Sequence, residues 1–158
     1  MQMKLTRKEL TKRLDRLRQT CARYDGAKKK GGVWVNQCVT CGKVYPCNKL
    51  QGGHLIGRAC LPLRWDEKNV SAQCVSCNIF RNGAYVEYVH WFIEQYGGDV
   101  FDQYVEKYRA WKTGKIPPAS IQELRDIYNH WLKEGRKLEE KVGPLFPKSW
   151  ALEIDFIE

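Results

Sequence analysis

Cys38-Val-Thr-Cys41-Gly42 and Cys74-Val-Ser-Cys77-Asn78 frame this chain, and His54 is the one histidine that lies between them. Each pair leaves two residues between its thiols. At that spacing a tight turn presents two thiolates to one tetrahedral zinc, so the two pairs together complete a closed four-thiolate site. A site without an open coordination position folds a chain and does no chemistry of its own. The pattern therefore predicts a structural Zn²⁺ on Cys38, Cys41, Cys74 and Cys77, and a long loop, residues 42–73, stapled at its base. A thioredoxin-like redox pair would need one such motif beside a βαβ pattern, and neither condition holds.

The 158 residues suit one modest domain, or a small metal-stabilised core with helical extensions. An apolar content of 43% with six tryptophans argues against disorder. No apolar run approaches the ~20 residues that span a bilayer. The charged start, Met1-Gln-Met-Lys-Leu-Thr-Arg-Lys8, has no apolar core and is no secretory signal. The expectation is a soluble cytoplasmic protein with no membrane partner. In that compartment seven cysteines point to metal rather than disulfides, and Cys21, Cys47 and Cys60, outside the two pairs, are expected to be free.

The net charge of +9 is uneven, because residues 1–30 carry eleven Lys and Arg against Glu9, Asp15 and Asp25. Such a field favours a polyanion, most simply nucleic acid, through phosphate neutralisation and counterion release. Four regions separate by pattern. Residues 1–32 form a basic arm, with Leu10, Leu14, Leu17 and Cys21 as a narrow apolar stripe at helical spacing, suited to packing on the body or on a second copy. Gly26 ends that helix, and Lys28-Lys-Lys-Gly-Gly32 reads as a flexible basic hinge. Residues 33–95 form the cysteine-rich module, entered by a β-prone run at Val33-Trp-Val35. Within it Gly52-Gly53-His54-Leu55-Ile56 reads as a turn and then a short strand, and a helix is expected to begin at Asn78.

Residues 96–141 read as helical. Asp99 is the expected cap of a helix after Gly97-Gly98. Ser120 and Glu123 make a capping box for a helix over 120–141, buried through Ile121, Leu124, Tyr128, Trp131 and Leu132. Residues 142–158 form an irregular tail whose Trp150, Leu152, Ile154, Phe156 and Ile157 can dock on the body or a partner. The aromatic residues of 84–111 are read as core packing in preference to base stacking.

His54, with room cleared by Gly52 and Gly53, can act as a general base, since an imidazole near its ordinary pKa is largely neutral in the cell. Asn78 follows the second cysteine pair directly, and its amide oxygen suits a hard cation such as Mg²⁺. A base facing a hydrated cation is the minimal equipment for phosphodiester hydrolysis. Arg58, Arg64 and Arg81 can clamp phosphates near such a site, with Lys28, Lys29 and Lys30 as further DNA contacts. Arg64 can equally pair with Asp66 or Glu67.

Gly53-His54, Leu63-Arg-Trp-Asp-Glu-Lys-Asn-Val70, Gln73-Cys-Val-Ser-Cys-Asn78 and Gly83 resemble the phage NinG (Rap) recombination nucleases. More broadly they resemble the zinc-bearing HNH, or ββα-metal, endonucleases, over residues 35–92. The resemblance implies an α+β fold: a small zinc-stapled ββα-metal finger flanked by N-terminal and C-terminal helices. It implies that His54, at the end of the first strand, is the base, that Asn69 braces the turn, and that Asn78 binds a catalytic Mg²⁺ or Mn²⁺. It further implies cleavage of branched DNA such as Holliday junctions and D-loops, a homodimer, and phage or host recombination proteins as partners. Many of these nucleases carry an acidic metal ligand directly before the base, where this chain has Gly53. The cation is then left to Asn78, phosphate oxygens and water, or to help from Asp66 or Glu67. The competing reading is a zinc-ribbon module that holds DNA without cutting it.

Overall fold

Thr6 and Glu9 close a reciprocal capping box, and from it α1 runs over Arg7–Tyr24. The structure, a computed structural model, describes residues 4–153. Leu10, Leu14 and Leu17 on α1 are fully buried, with Cys21 beside them. They pack on Leu124, Tyr128, Trp131 and Leu132 of the last helix, with Trp65 and Phe146 filling the seam. The apolar stripe of the basic arm thus docks on the body. Each such leucine removed from water contributes roughly 1.5–3 kcal/mol.

After α1 the chain forms β1 (Lys28–Lys30), β2 (Val33–Gln37) and β3 (Val44–Pro46), an antiparallel sheet in that order. The Lys28–Lys30 run is therefore a strand and not a flexible hinge. Gly31 and Gly32 take φ of 53° and 80°, the two successive positive values of a two-residue hairpin turn, and this sets Lys28 opposite Val35. A single 3₁₀ turn, Cys47–Lys49, leads into β4 (Leu50–His54). A long loop containing a second 3₁₀ turn, Leu61–Leu63, returns the chain along β5 (Val70–Cys74), antiparallel to β4 with His54 opposite Val70.

Gly52 and Gly53 lie inside β4, so the turn expected there is absent and His54 ends a strand instead of opening one. The glycines answer to crowding. A Cβ on Gly52 would sit 2.7 Å from the Cα of Gln19 on α1, and one on Gly53 would sit 1.8 Å from Gln73 Oε1. Arg18 ties the same helix to the loop beneath. Buried at 4% exposure, it donates to the carbonyls of Asp66, Glu67 and Val70 at 3.2, 2.5 and 2.7 Å and lies over the Trp131 ring. These bonds offset the cost of burying its charge.

Past β5, Ser76–Phe80 makes one π-helical turn, and the chain reverses through Asn82, Gly83 and Ala84, all at positive φ. The helix expected from Asn78 is thus a lone turn, and α2 proper begins at Tyr85 and ends at Tyr96. Next comes α3 (Gly98–Lys112), which Gly97 caps; Asp99 lies in its first turn. Tyr88 and Phe92 of α2 and Tyr104 of α3 pack on Leu55, Ile56 and Leu63 of the long loop, whereas Tyr85, Val86 and Tyr108 are exposed. The last helix, α4 (Ile121–Val142), starts at the Ser120–Glu123 capping box that the sequence predicts. In the tail Trp150 stacks on Phe146; Ile154, Phe156 and Ile157 lie outside the described residues. Among the described residues no helix is long and apolar enough to cross a membrane.

Replacing Gly52 by alanine presses a methyl group against helix backbone, which cannot rotate away. A loss of about 1–3 kcal/mol is expected in a urea melt, and an unchanged midpoint would show that α1 and β4 can separate without cost.

Candidate functional site

The four sulfurs of Cys38, Cys41, Cys74 and Cys77 all lie within 4.8 Å of one another, with Cys41 and Cys74 3.9 Å apart. Zinc–sulfur bonds of about 2.3 Å give tetrahedral edges of about 3.8 Å, so this cluster can hold a zinc ion. Its frame is backbone. Gly42, at φ 74°, turns the chain so that its N–H reaches Cys38 O at 2.8 Å. Val39 N–H reaches Ala72 O at 2.9 Å, tying the first pair to β5, and Cys77 N–H points at Cys74 Sγ.

Thiol chemistry agrees with a cation here. Burial pushes the Cys41 thiol up to about 12 and raises Cys77 as well. At Cys38 burial acts the same way, but the Thr40 hydroxyl and nearby backbone N–H groups outweigh it and draw the thiol down to about 6. A bound dication would favour the thiolate form of its ligands. Cys21, Cys47 and Cys60 are free and buried, outside the cluster, and burial raises all three, Cys21 to about 11.

At the other end of the hairpin His54 is half-buried, with Nε2 2.8 Å from the carbonyl oxygen of Arg64. A carbonyl only accepts, so Nε2 carries the proton and Nδ1 keeps its lone pair. Burial is the largest influence on this ring and, with the charge of Arg58, holds it below 6.5 against the opposing pull of the Arg64 carbonyl. The result is a neutral imidazole of fixed tautomer.

Asn69 is fully buried at the return of the loop. Its Oδ1 accepts from Ile56 N–H at 2.8 Å, and its Nδ2 donates to Ile56 O and Leu63 O at 2.9 and 2.8 Å. The amide thus locks the segment that follows His54. Asn78, on the π turn, donates from Nδ2 to Gln51 Oε1 at 2.8 Å, which leaves its own carbonyl oxygen as the available ligand atom. The four cysteines are the only group of three or more His, Cys, Asp or Glu among the described residues placed to share a metal. Asp66 has no freedom to fold back, because its Oδ1 accepts from Lys68 N–H, Asn69 N–H and the Tyr104 hydroxyl. Position 53 is closed as well, since the buried Gln73 fills the space a side chain would need. Neither Asp66 nor position 53 therefore adds a carboxylate beside Asn78, whose amide oxygen would be a lone ligand to any hydrated cation bound there.

Arg58 and Arg64 pair with Asp15 on α1, not with Asp66 or Glu67. Arg64 bonds it twice, at 3.0 and 2.7 Å, Arg58 at 2.7 Å, and Trp65 Nε1 adds a fourth donor at 2.9 Å. Burial alone would raise Asp15; the donors from Arg64 and Trp65 outweigh it and hold its carboxyl below 3.8. Arg81 pairs with Glu87. Lys28, Lys29 and Lys30 are exposed along β1. Sequence reasoning missed Asp15, Gln51 and Gln73. Asp15 is the only acid on the inner turns of a basic helix, and strand alternation sets Gln51 and Gly53 on one face; those were the signals to be had.

Fold and site together define an α+β protein with a four-cysteine cluster able to hold zinc. A family model described as Bacteriophage Lambda NinG protein matches residues 2–140, and the chain belongs to this family. A curated relative, "Protein ninG" of Salmonella phage P22, is 31% identical over 96 residues. That match takes in 57% of this chain and 47% of the relative, so the chain spans about half of that protein's length. No solved structure matches the chain.

Cys74→Ser should abolish stoichiometric zinc, measured by metal analysis of protein purified under reducing conditions, and lower the melting temperature, because zinc binding and folding are one equilibrium. Cys21→Ser should keep its zinc and cost about 1–2 kcal/mol, the price of a hydroxyl in the α1–α4 core.

Proposed function

We propose that this protein is a metal-dependent endonuclease that hydrolyses phosphodiesters in branched DNA, with His54 as general base. The observation that carries the reading is the His54–Arg64 contact. It fixes the proton on Nε2 and leaves the lone pair on Nδ1, while burial, against the pull of that same carbonyl, keeps the ring neutral at cell pH. The succession of β4, β5, the π turn and α2 supports the ββα-metal reading of this region, with His54 ending the first strand and Asn78 on the turn after the second.

In this reading Nδ1 of His54 takes a proton from water as the water oxygen bonds to phosphorus. The bond from phosphorus to the leaving oxygen breaks, and the new imidazolium is stabilised through its Nε2–H bond to Arg64 O. Asn69 holds the Ile56 and Leu63 backbone on either side of that loop, and Gln51 orients the Asn78 amide. Asn78 would hold a Mg²⁺ or Mn²⁺ ion, and the chemistry such an ion would supply is positive charge for the leaving oxygen. The zinc cluster closes the opposite end of the hairpin and takes no part in the chemistry. Cutting two symmetric strands of a junction calls for two copies of the site, so a homodimer on the DNA belongs to the same proposal.

The test incubates a four-way junction, a linear duplex and single strands with the protein, with Mg²⁺ present or omitted. Omission is preferable to chelation, which would also strip the zinc. Cleavage of the junction should require Mg²⁺ and fall at least about 100-fold in His54→Ala. Cleavage that survives in His54→Ala would sink the mechanism, and binding without any cleavage would favour the non-cutting zinc ribbon. Because the base must be neutral and its pKa lies below 6.5, the single-turnover rate should fall to half its plateau only below pH 6.5. A profile already halved at pH 7 would contradict this environment for His54.

A further inference from the structure

The groove between α1 and β4 has a charge that the described chain does not neutralise. It encloses about 380 Å³ and is lined by Lys12, Arg16 and Arg23 together with Gln19 and Gln51. Lys12, Arg16, Gln19 and Arg23 follow one another at steps of four, three and four residues, a single stripe of an α-helix that extends about 16 Å at 1.5 Å per residue. Lys12 and Arg16 are exposed. The one acid in the lining, Asp15, is already saturated by Arg58, Arg64 and Trp65. Among the described residues neither Lys12 nor Arg16 forms an ion pair with a carboxylate, whereas Arg58, Arg64 and Arg81 all do; Arg16 lies over the Trp150 ring, 5.2 Å from its centroid, which leaves its charge unpaired.

Two contacts align this stripe with the candidate active site. Gly52 lets β4 approach the α1 backbone at Gln19, so the helix lies directly along the strand that ends in His54. Gln51, in the groove lining, is also the residue that holds the Asn78 amide. A ligand seated in the groove therefore lies against the residue that positions Asn78.

We infer that this groove is a phosphate-backbone track: Lys12, Arg16 and Arg23 on one face of α1 bind successive phosphates of a nucleic-acid strand and lead it past Gln51 to His54 and Asn78. The inference rests on the nuclease reading and moves its main phosphate contacts from Arg58, Arg64 and Arg81 to α1. Such contacts carry no base specificity; they set position and register, as an enzyme selecting for DNA shape requires. Arg58 and Arg64 then act through Asp15, bracing the helix that carries the track.

The experiment measures binding of a four-way DNA junction by His54→Ala protein across a salt series, with and without the double substitution Lys12→Gln and Arg16→Gln. Each lost phosphate contact lowers the slope of log affinity against log salt by about 0.9 on duplex DNA, so the double variant should lose about 2 units of slope. The charge-keeping pair Lys12→Arg with Arg16→Lys should retain the parent slope, and matching melting curves would exclude unfolding as the cause. An unchanged slope in the double variant overturns the track and leaves the nuclease reading standing. If the parent binds no junction in a salt-dependent way and the wild type cuts none, the nuclease reading falls and the track with it.

Discussion

Strand β4 runs through a space too narrow for side chains at two successive positions, and much of the site follows from that constraint. Gly52 meets the α1 backbone and Gly53 meets the buried Gln73 on the other face. With the strand clamped between helix and neighbour, its two ends are defined. At one end Leu50 pairs with Cys74 beside the four sulfurs; at the other His54 pairs with Val70. The cysteine cluster and the Asn69 amide close the hairpin from opposite ends. A His54 ring so placed has little freedom, and the Arg64 carbonyl removes what remains of its choice of tautomer.

Charge follows the same logic of position. The chain is strongly basic, yet many of its cations serve the fold. Arg18 is spent on loop carbonyls, and Arg58 and Arg64 converge on Asp15. Arg136 donates to the tail carbonyls of Pro147 and Trp150. A count of basic residues therefore overstates what is offered to a polyanion. Exposed cations remain on several elements, β1 and α1 among them. The acid that decides this division is Asp15, whose four donors make it a hub between α1 and the long loop.

Sequence patterns were most reliable where the interaction is local. The Ser120–Glu123 capping box and the leucine spacing of α1, in steps of four and three, each involve residues within one or two turns, and the helices form where those patterns place them. The cysteine pairs belong to this group, since a two-residue gap fixes the bite of each half-site whatever the rest of the chain does. Patterns failed where one residue type serves two physical needs. Gly31-Gly32 and Gly52-Gly53 look alike on paper. The first pair supplies positive φ to a hairpin turn, and the second supplies missing side-chain volume inside a strand. The stretch after Asn78 failed for a related reason: Asn82, Gly83 and Ala84 take left-handed backbone, and helix propensity does not foresee a left-handed alanine.

The sequence by itself determined the four sulfur ligands, the apolar face of α1, the span of α4 and the family motif around His54, Asn69 and Asn78. Each depends on spacing along the chain, which a sequence states outright. Tertiary structure alone decided which carboxylate holds Arg58 and Arg64, which carbonyl sets the His54 tautomer, and why position 53 carries no acid. Those partners lie ten to about fifty residues away and meet only because α1, β4 and the long loop pack on one another.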